Sequence, residues 1–405
     1  MTALITDRMS REERRAGISL AAVFALRMLG LFLILPVFAI HARELPSGDD
    51  AALVGMALGA YGLTQACLQI AYGAASDRFG RKPVIVVGLL LFAAGSFVAA
   101  GASDIYLVIV GRVLQGSGAI SAAVTALAAD LTREQHLTKV MAMIGSSIGL
   151  MFALSMVAAP LLYSLVGMSG IFALTGVLAL LAIALVLKVI PAAPMVPRQP
   201  AWPSFIEVLT DGRLQRLNFG VLALHLMLTA MWVVLPAELV QAGGLPVSDH
   251  WQVYLPALLL SFLVMVPAIV LAERFAHVKL VFNLAIGMLI VVEAGFGLFA
   301  NGLHSLFVCL TLFFTAFNVL EAMQPSLISR IAPSHAKGAA LGIYNTTQAI
   351  GLFLGGVIGG TLAKNAGALA VWTVGAALAA VWLILGLTLP ASALRRPEAA
   401  GQKHL

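Results

Sequence analysis

Residues Gly73-Ala74-Ala75-Ser76-Asp77-Arg78-Phe79-Gly80-Arg81-Lys82-Pro83 interrupt two long apolar runs, 52–75 and 84–103. An acid, two arginines and a lysine fall within six consecutive positions, with Gly80 among them to turn the chain. Charge at that density does not sit in hydrocarbon, whereas each flank has about the 20 apolar residues a helix needs to cross it. The stretch reads as a water-facing turn between two membrane-spanning helices.

Outward from this turn the chain repeats the pattern. Of its 405 residues, 61% are hydrophobic and 10% charged, and the mean hydropathy is +1.00. Soluble domains carry about 25% charged residues. Soluble cores and a disordered chain are both excluded, which leaves a polytopic α-helical membrane protein. The net charge of +6 does not argue for nucleic acid as a partner, because basic residues also gather at the cytoplasmic face of membrane proteins. Cys67 and Cys309 lie in apolar runs outside any metal-ligand spacing, so they read as buried free thiols, and no metal site is expected.

Twelve apolar segments are long enough to span: 16–40, 52–75, 84–103, 105–128, 139–162, 169–189, 218–240, 253–271, 279–300, 303–327, 338–361 and 368–388. The first is too long for a cleavable leader and is followed by eleven more. Twelve spans put both termini on one side. Of the 24 lysines and arginines, 20 fall in the termini and the loops on that side, two (Arg43 and Lys364) fall opposite, and Arg27 and Arg112 lie within spans. Positive charge marks the cytoplasm. The chain therefore reads as a multi-pass protein of the cell (inner) membrane with both termini cytoplasmic.

The longest interruption, 190–217, holds five prolines and separates six spans from six. Its second part, 205–217, reads as a short amphipathic helix at the interface. The expected organisation is a bundle over 1–189, a cytoplasmic linker over 190–217 and a bundle over 218–405. The halves look like distant copies. Asp77-Arg78-Phe79 after span 2 matches Glu273-Arg274-Phe275 after span 8 at an offset of 196 residues, and Ile148-Gly149-Leu150 matches Ile350-Gly351-Leu352 at 202. Paired six-helix halves are a transporter architecture, with substrate bound between them near the midplane.

The turn at 73–83 resembles the G-x-x-x-D-R-x-G-R-K signature of the major facilitator superfamily, and Arg112-Val113-Leu114-Gln115-Gly116-Ser117-Gly118-Ala119 in span 4 resembles that family's second motif. Within the family the chain is similar to the YajR-like group of drug/proton antiporters. The supporting strings are Leu26-Arg27-Met28-Leu29-Gly30 in span 1, Asp130-Leu131-Thr132-Arg133-Glu134-Gln135 after span 4, and Phe317-Asn318-Val319-Leu320-Glu321-Ala322 in span 10. That group's type member adds a small soluble C-terminal domain, whereas only about 17 residues follow span 12 here, too few to fold alone. The family's antiporter motif in span 5 is present in part: Gly145 and Gly149 stand, but the Gly-Pro pair reads Ala159-Pro160.

The resemblance implies an all-α fold of twelve spans in two pseudo-symmetric six-helix bundles. It also implies a conformational latch of Gly73, Asp77, Arg78, Gly80, Arg81 and Asp130, in which Asp77 faces the start of span 11 and Arg81 pairs with Asp130. The positive N-terminal end of span 11 makes that contact physically reasonable.

Ionisable groups well inside the spans are Arg27, Arg112, His225, Glu293 and Glu321, and four of them fall in spans 1, 4, 7 and 10, which in the family line the central cavity. A charge at the bilayer centre costs at least about 2.5–3.5 kcal/mol, so one that persists is expected to function. Glu321 is the expected proton carrier, since a carboxyl in a low-dielectric cavity exchanges protons nearer neutral pH than one in water. Arg27 is expected either to pair with Glu321, to attract an anionic group, or to clamp helices. Arg112 with Gln115 serves proton coupling or structure. Asn318 and Gln324 flank Glu321 at three residues each way and share its face of span 10. His225 titrates near neutral pH or packs. Trp232, Phe24 and Phe314 stack on a ligand or pack, and Asn345-Thr346-Thr347-Gln348 lines the cavity or supports the start of span 11. Glu293, in span 9, is set aside as peripheral.

No Walker loop, nucleophile elbow or cofactor motif occurs, so no enzyme and no cofactor are expected and the proton gradient is the energy source. The leading expectation is a monomeric transporter exporting small amphipathic compounds in exchange for protons by alternating access. The alternatives are a proton symporter importing a small anionic metabolite, with Arg27 as its anchor, and an uncoupled channel or sensor.

Overall fold

The computed structural model of the protein describes residues 9–191, 202–275, 277–299 and 301–390. Among them the regular structure is helical, and ten helices are long and apolar enough to cross a membrane. Two of these, Glu134–Lys188 and Lys337–Leu387, are far longer than a bilayer needs, and each contains one non-helical residue. These are Gly167 (φ 66°, ψ −174°) and Gly367 (φ 75°, ψ 179°), a conformation glycine adopts without strain.

The chain reverses at both glycines. Val140, Ser147 and Tyr163 lie in turn against Gly17, Ala21 and His41, and beyond Gly167 the chain brings Thr175 back beside Gly30. Gly351, Gly355 and Gly359 pass Leu222, Leu226 and Ala230, and beyond Gly367 Trp382 returns to Gly220. Ten helices, two of them folded back, make twelve spans, and the two reversals sit at matching places in the halves.

Spans 1 to 6 are Arg11–Phe32 continued by Leu35–His41, Ala51–Phe79, Arg81–Ala100, Ile105–Gly116 continued by Ser121–Asp130, 134–166 and 168–188. Spans 7 to 12 are Gly212–Gln241, Trp251–Arg274, Val278–Phe299, Leu303–Ile331, 337–366 and 368–387. Spans 1 and 4, expected as single runs, are each broken. Pro36 opens the second piece of span 1, where a residue without an N–H is tolerated. Span 4 stops at Gly116 and resumes at Ser121, which leaves the Gly118 carbonyl outside the helical ladder.

The expected interfacial helix 205–217 is instead Trp202–Thr210, and span 7 already begins at Gly212. Asp211 causes the division: its carboxylate accepts the Arg213 N–H at 2.8 Å and caps a new helix, and the Arg213 guanidinium beside it lowers the Asp211 pKa. The proline-rich stretch 192–201 and the chain ends 1–8 and 391–405 lie outside the described residues. Cys67 is exposed on the outer surface of its span rather than buried, Cys309 is half-buried, and both are free thiols.

The end of the bundle that carries residue 11 and residue 387 is called here the terminal end. The two halves close at the other end. Gly55, Gly59 and Gly62 of span 2 meet Gly356, Phe353 and Ala349 of span 11 so closely that an added Cβ at any of the three would strike backbone. Beyond them Lys364 Nζ donates to Asp50 Oδ2 at 2.7 Å, and this pairing lowers the Asp50 pKa. Toward the terminal end the same two spans part. Gly73 of span 2 meets only Ala122 of its own half, and Gly338 of span 11 has nothing within 4 Å. The conformation is open toward the terminal end.

Candidate functional site

Spans 7, 10 and 11 bring His225, Glu321 and Gln348 together. His225 Nδ1 lies 3.0 Å from the Val221 carbonyl one turn back, which only accepts, so Nδ1 is assigned the proton. Nε2 is then free to accept the Gln348 amide at 2.7 Å, and the same amide nitrogen reaches Glu321 Oε1 at 3.3 Å. Glu321 Oε2 stands 3.6 Å from His225 Nε2 and is buried without a hydrogen-bond partner. Gly351 on span 11 allows the approach, since a Cβ there would lie 3.2 Å from the His225 Cβ.

The direction of these hydrogen bonds depends on whether Nε2 carries a proton. With His225 neutral, Gln348 bridges the imidazole and the carboxylate. A proton on Nε2 turns that atom from acceptor to donor, so the amide must rotate away while His225 and Glu321 become an ion pair. The His225 side chain is 5% exposed and that of Glu321 36%, so the acid is the accessible member of the pair.

On the other side of the cluster lies an aromatic layer that crosses the halves. The Phe317 ring meets His225 at 5.8 Å, and Phe152 of span 5 packs on Phe317 at 6.4 Å and on Phe314 at 5.9 Å. Trp232 closes the layer against Phe314 and Tyr254. Both Trp232 and Phe314 are fully buried, so in this conformation they pack and do not line open space.

The buried arginines of the first half are occupied elsewhere. Arg27 donates to Tyr61 Oη at 2.5 Å, to the freed Gly118 carbonyl at 3.2 Å and to Ser121 Oγ at 3.3 Å, with its guanidinium near the Tyr61 and Phe92 rings. All of these partners belong to spans 2, 3 and 4. Of the alternatives for Arg27, the structure shows the clamp, made within the first bundle, and not the pair with Glu321, which is accompanied by a histidine and an amide instead. Arg112 donates to the Ala57 and Leu58 carbonyls and to Gln115 Oε1 at 2.8 Å, and Gln115 donates to Ser96 Oγ at 2.8 Å. Tyr61 also lies against Arg112, so one ring serves both cations.

Other expected residues scatter. Asn318 turns from Glu321 to donate to Ser261 Oγ of span 8 at 2.8 Å. Gln324 is fully buried with neither amide atom bonded, and Phe24 packs in the core of the first bundle. In the latch, Arg81 holds Asp130 at 2.9 Å, Ser76 Oγ at 2.6 Å and Asp77 at 2.6 Å. Asp77 is half-exposed, and no contact with span 11 is among those described for it, because the terminal end has parted. Gly73 lies beside Ala122, Gly80 takes φ +92° at the turn, and Arg78 lies over Phe79. In span 5, Gly145 and Gly149 have nothing within 4 Å and Pro160 lies inside the helix. The sequence names Gln348 only as part of a run that lines the cavity or supports the start of span 11, without linking it to Glu321 or His225. The signal was there in the polar run Asn345-Thr346-Thr347-Gln348 inside an otherwise apolar span.

The family model described as Major Facilitator Superfamily matches residues 20–348 and, separately, 217–405. The chain is 45% identical over 386 residues to the inner membrane transport protein YajR of Escherichia coli, covering 94% of this chain and 85% of that protein. It is 27% identical to a multidrug resistance protein MdtH of Aeromonas hydrophila, over 87% of this chain and 89% of that one. Among solved structures, an autoinhibited POT family peptide transporter superposes with a TM-score of 0.70 over 98% of this chain and 99% of that one, at 15% identity. The human organic anion transporter MFSD10 does so with a TM-score of 0.69 over 93% of this chain and all of that one, at 18% identity. A family match over most of the chain, a close relative and the twelve-span fold agree: the chain belongs to the Major Facilitator Superfamily and is a transporter, not an enzyme.

Proposed function

We propose that the protein exports small amphipathic compounds across the inner membrane in exchange for protons, driven by the proton gradient without a cofactor. The observation that carries this reading is the Glu321–His225–Gln348 cluster: a part-exposed carboxyl with one unbonded oxygen, in reach of an imidazole ring. The names borne by its relatives, an inner membrane transport protein and multidrug resistance proteins, support the location and the substrate class. The distribution of lysine and arginine supports a cytoplasmic terminal end.

Bundle 1–189 rocks against bundle 218–405 around the cluster, and the protein works as a monomer. In the cytoplasm-open state the cluster releases its proton and substrate enters. When the halves re-close at the terminal end and the glycine face between spans 2 and 11 parts, a proton from outside occupies the cluster and substrate leaves. Import of an anion has less support, because the Arg27 fork is already bonded within the first bundle.

The test is proteoliposomes holding a pH-sensitive dye, screened with amphipathic compounds. Wild type gives substrate-driven proton flux. Glu321→Gln is expected to abolish that flux while its melting temperature stays near wild type. Wild-type coupling in this variant refutes the reading.

A further inference from the structure

A second buried carboxyl lies outside the central cavity, inside the second bundle. Glu293 of span 9 is 1% exposed, and its Oε1 has no hydrogen-bond partner. It lines a cavity of about 10 Å³ between spans 7, 9, 11 and 12, otherwise walled by apolar side chains such as Met227, Met231, Leu362 and Val371, together with Trp372 and Gly375. That is room for one water. Gly375 forms a cradle, because a Cβ there would stand 2.7 Å from the carboxyl carbon.

The first half shows that packing does not require an acid at this place. Position 97 precedes 293 by the same 196 residues that separate Asp77 from Glu273, and it is a phenylalanine whose ring lies against Gly176, as Glu293 lies against Gly375.

The ligand follows from the lining. A hard cation needs several oxygen ligands, and the side chains here supply one carboxyl. No lysine, arginine or histidine lines the cavity, so a carboxylate would be buried without a counter-ion. What fits is a proton. From the elements packed on span 9, span 12 contributes Trp372 and Gly375, span 7 contributes Met227 and Met231, and span 10 sets Cys309 against Gly295 two residues along. Among the described residues, the ionisable group reached through a shared neighbour is Glu238. It lies at the end of span 7 away from the termini and accepts the Trp372 indole N–H at 3.4 Å, and its Oε2 is unbonded.

We propose that Glu293 is a second proton-binding site, occupied in this conformation and filled from the non-terminal end by way of Glu238. A proton from bulk water adds to a Glu238 oxygen, passes around Trp372 through the cavity to Glu293 Oε1, and returns by the same atoms. No bond other than O–H is made or broken. The site does not depend on Glu321 acting as the central carrier.

The experiment is infrared spectroscopy of the purified full-length protein in lipid, following the C=O stretch of protonated carboxyls and its shift on transfer to heavy water. The expected result is a band that Glu293→Gln removes and Glu321→Gln leaves in place, and whose deuterium shift slows at least severalfold in Glu238→Gln. A band untouched by Glu293→Gln overturns the site, and an unchanged exchange rate in Glu238→Gln overturns the route. Should Glu293→Gln not fold, Gly375→Ala presses a methyl on the carboxyl and must move the band. An unmoved band in that variant also overturns the proposal. Loss of coupling in Glu321→Gln with the Glu293 band intact separates this site from the central one.

Discussion

The two halves share a backbone plan and carry opposite buried chemistry. In the first, the charges buried within the spans are Arg27 and Arg112, and six donations from them and the Gln115–Ser96 link knit spans 1 to 4 around Tyr61. In the second, the ionisable groups at mid-span include the buried His225 and Glu293 and the part-exposed Glu321, and the two acids each have a buried oxygen without a hydrogen-bond partner. A guanidinium keeps its proton at any physiological pH, whereas carboxyl and imidazole groups can let theirs go. The difference assigns permanent, multiply bonded charge to holding one bundle rigid, and removable, under-bonded charge to the bundle where protons can come and go.

The largest effect should come from breaking the rigid side. Arg112→Leu strands two span 2 carbonyls and Gln115 in a site where the arginine was 2% exposed. A loss on the order of 3 kcal/mol is expected, seen as a sharp fall in melting temperature and in folded yield. A stable Arg112→Leu protein would remove the structural half of the comparison.

His225→Gln should do the reverse. The side chain stays polar and of similar reach, so the melting temperature should change by no more than about 1 kcal/mol equivalent. The pH dependence of transport should flatten, measured as flux across a pH series in proteoliposomes. A large stability loss with unchanged pH dependence would make this half structural too.

The smallest effect is expected at the closed end. Asp50 has its pKa lowered by Lys364, so its contribution to closure is complete above the ordinary carboxylate range and is lost only as pH falls through the lowered value. Closure probed by cysteine accessibility near residue 50 should therefore be flat between about pH 5 and 8. Asp50→Asn should loosen it slightly at every pH in that window, because an exposed pair contributes little. A closure that titrates near neutral pH would point to a different group.

The same contrast shows what could be read in advance. Span number follows from the spacing of charges in apolar sequence and the internal repeat from matched strings, both one-dimensional information, whereas the Arg81–Asp130 pair is what the family resemblance implies. Partner choice does not follow from spacing. A span that is apolar on every side has no hydrophobic face to reveal its rotation, so Arg27 and Glu321, both mid-span, were placed in one cavity although Arg27 turns toward Tyr61 and Ser121. Glu293 is set aside on a different ground, the peripheral place of its span by family analogy. Span 9 is peripheral as a helix, yet this residue points inward to Gly375. The Gly118 carbonyl that Arg27 uses exists only because span 4 breaks, and a run of Gly116-Ser117-Gly118 signals that break weakly beside an apolar stretch that argues for continuity.

The contact of Gly55, Gly59 and Gly62 with span 11 has a mechanical corollary. A seal formed of main chain against main chain has no rotamers to unlock and no interlocking side chains to withdraw, so it can separate as one sheet of contact slides off another. Bulk introduced at Gly356 would act as a wedge, biasing the molecule toward the opposite opening without touching any ionisable group.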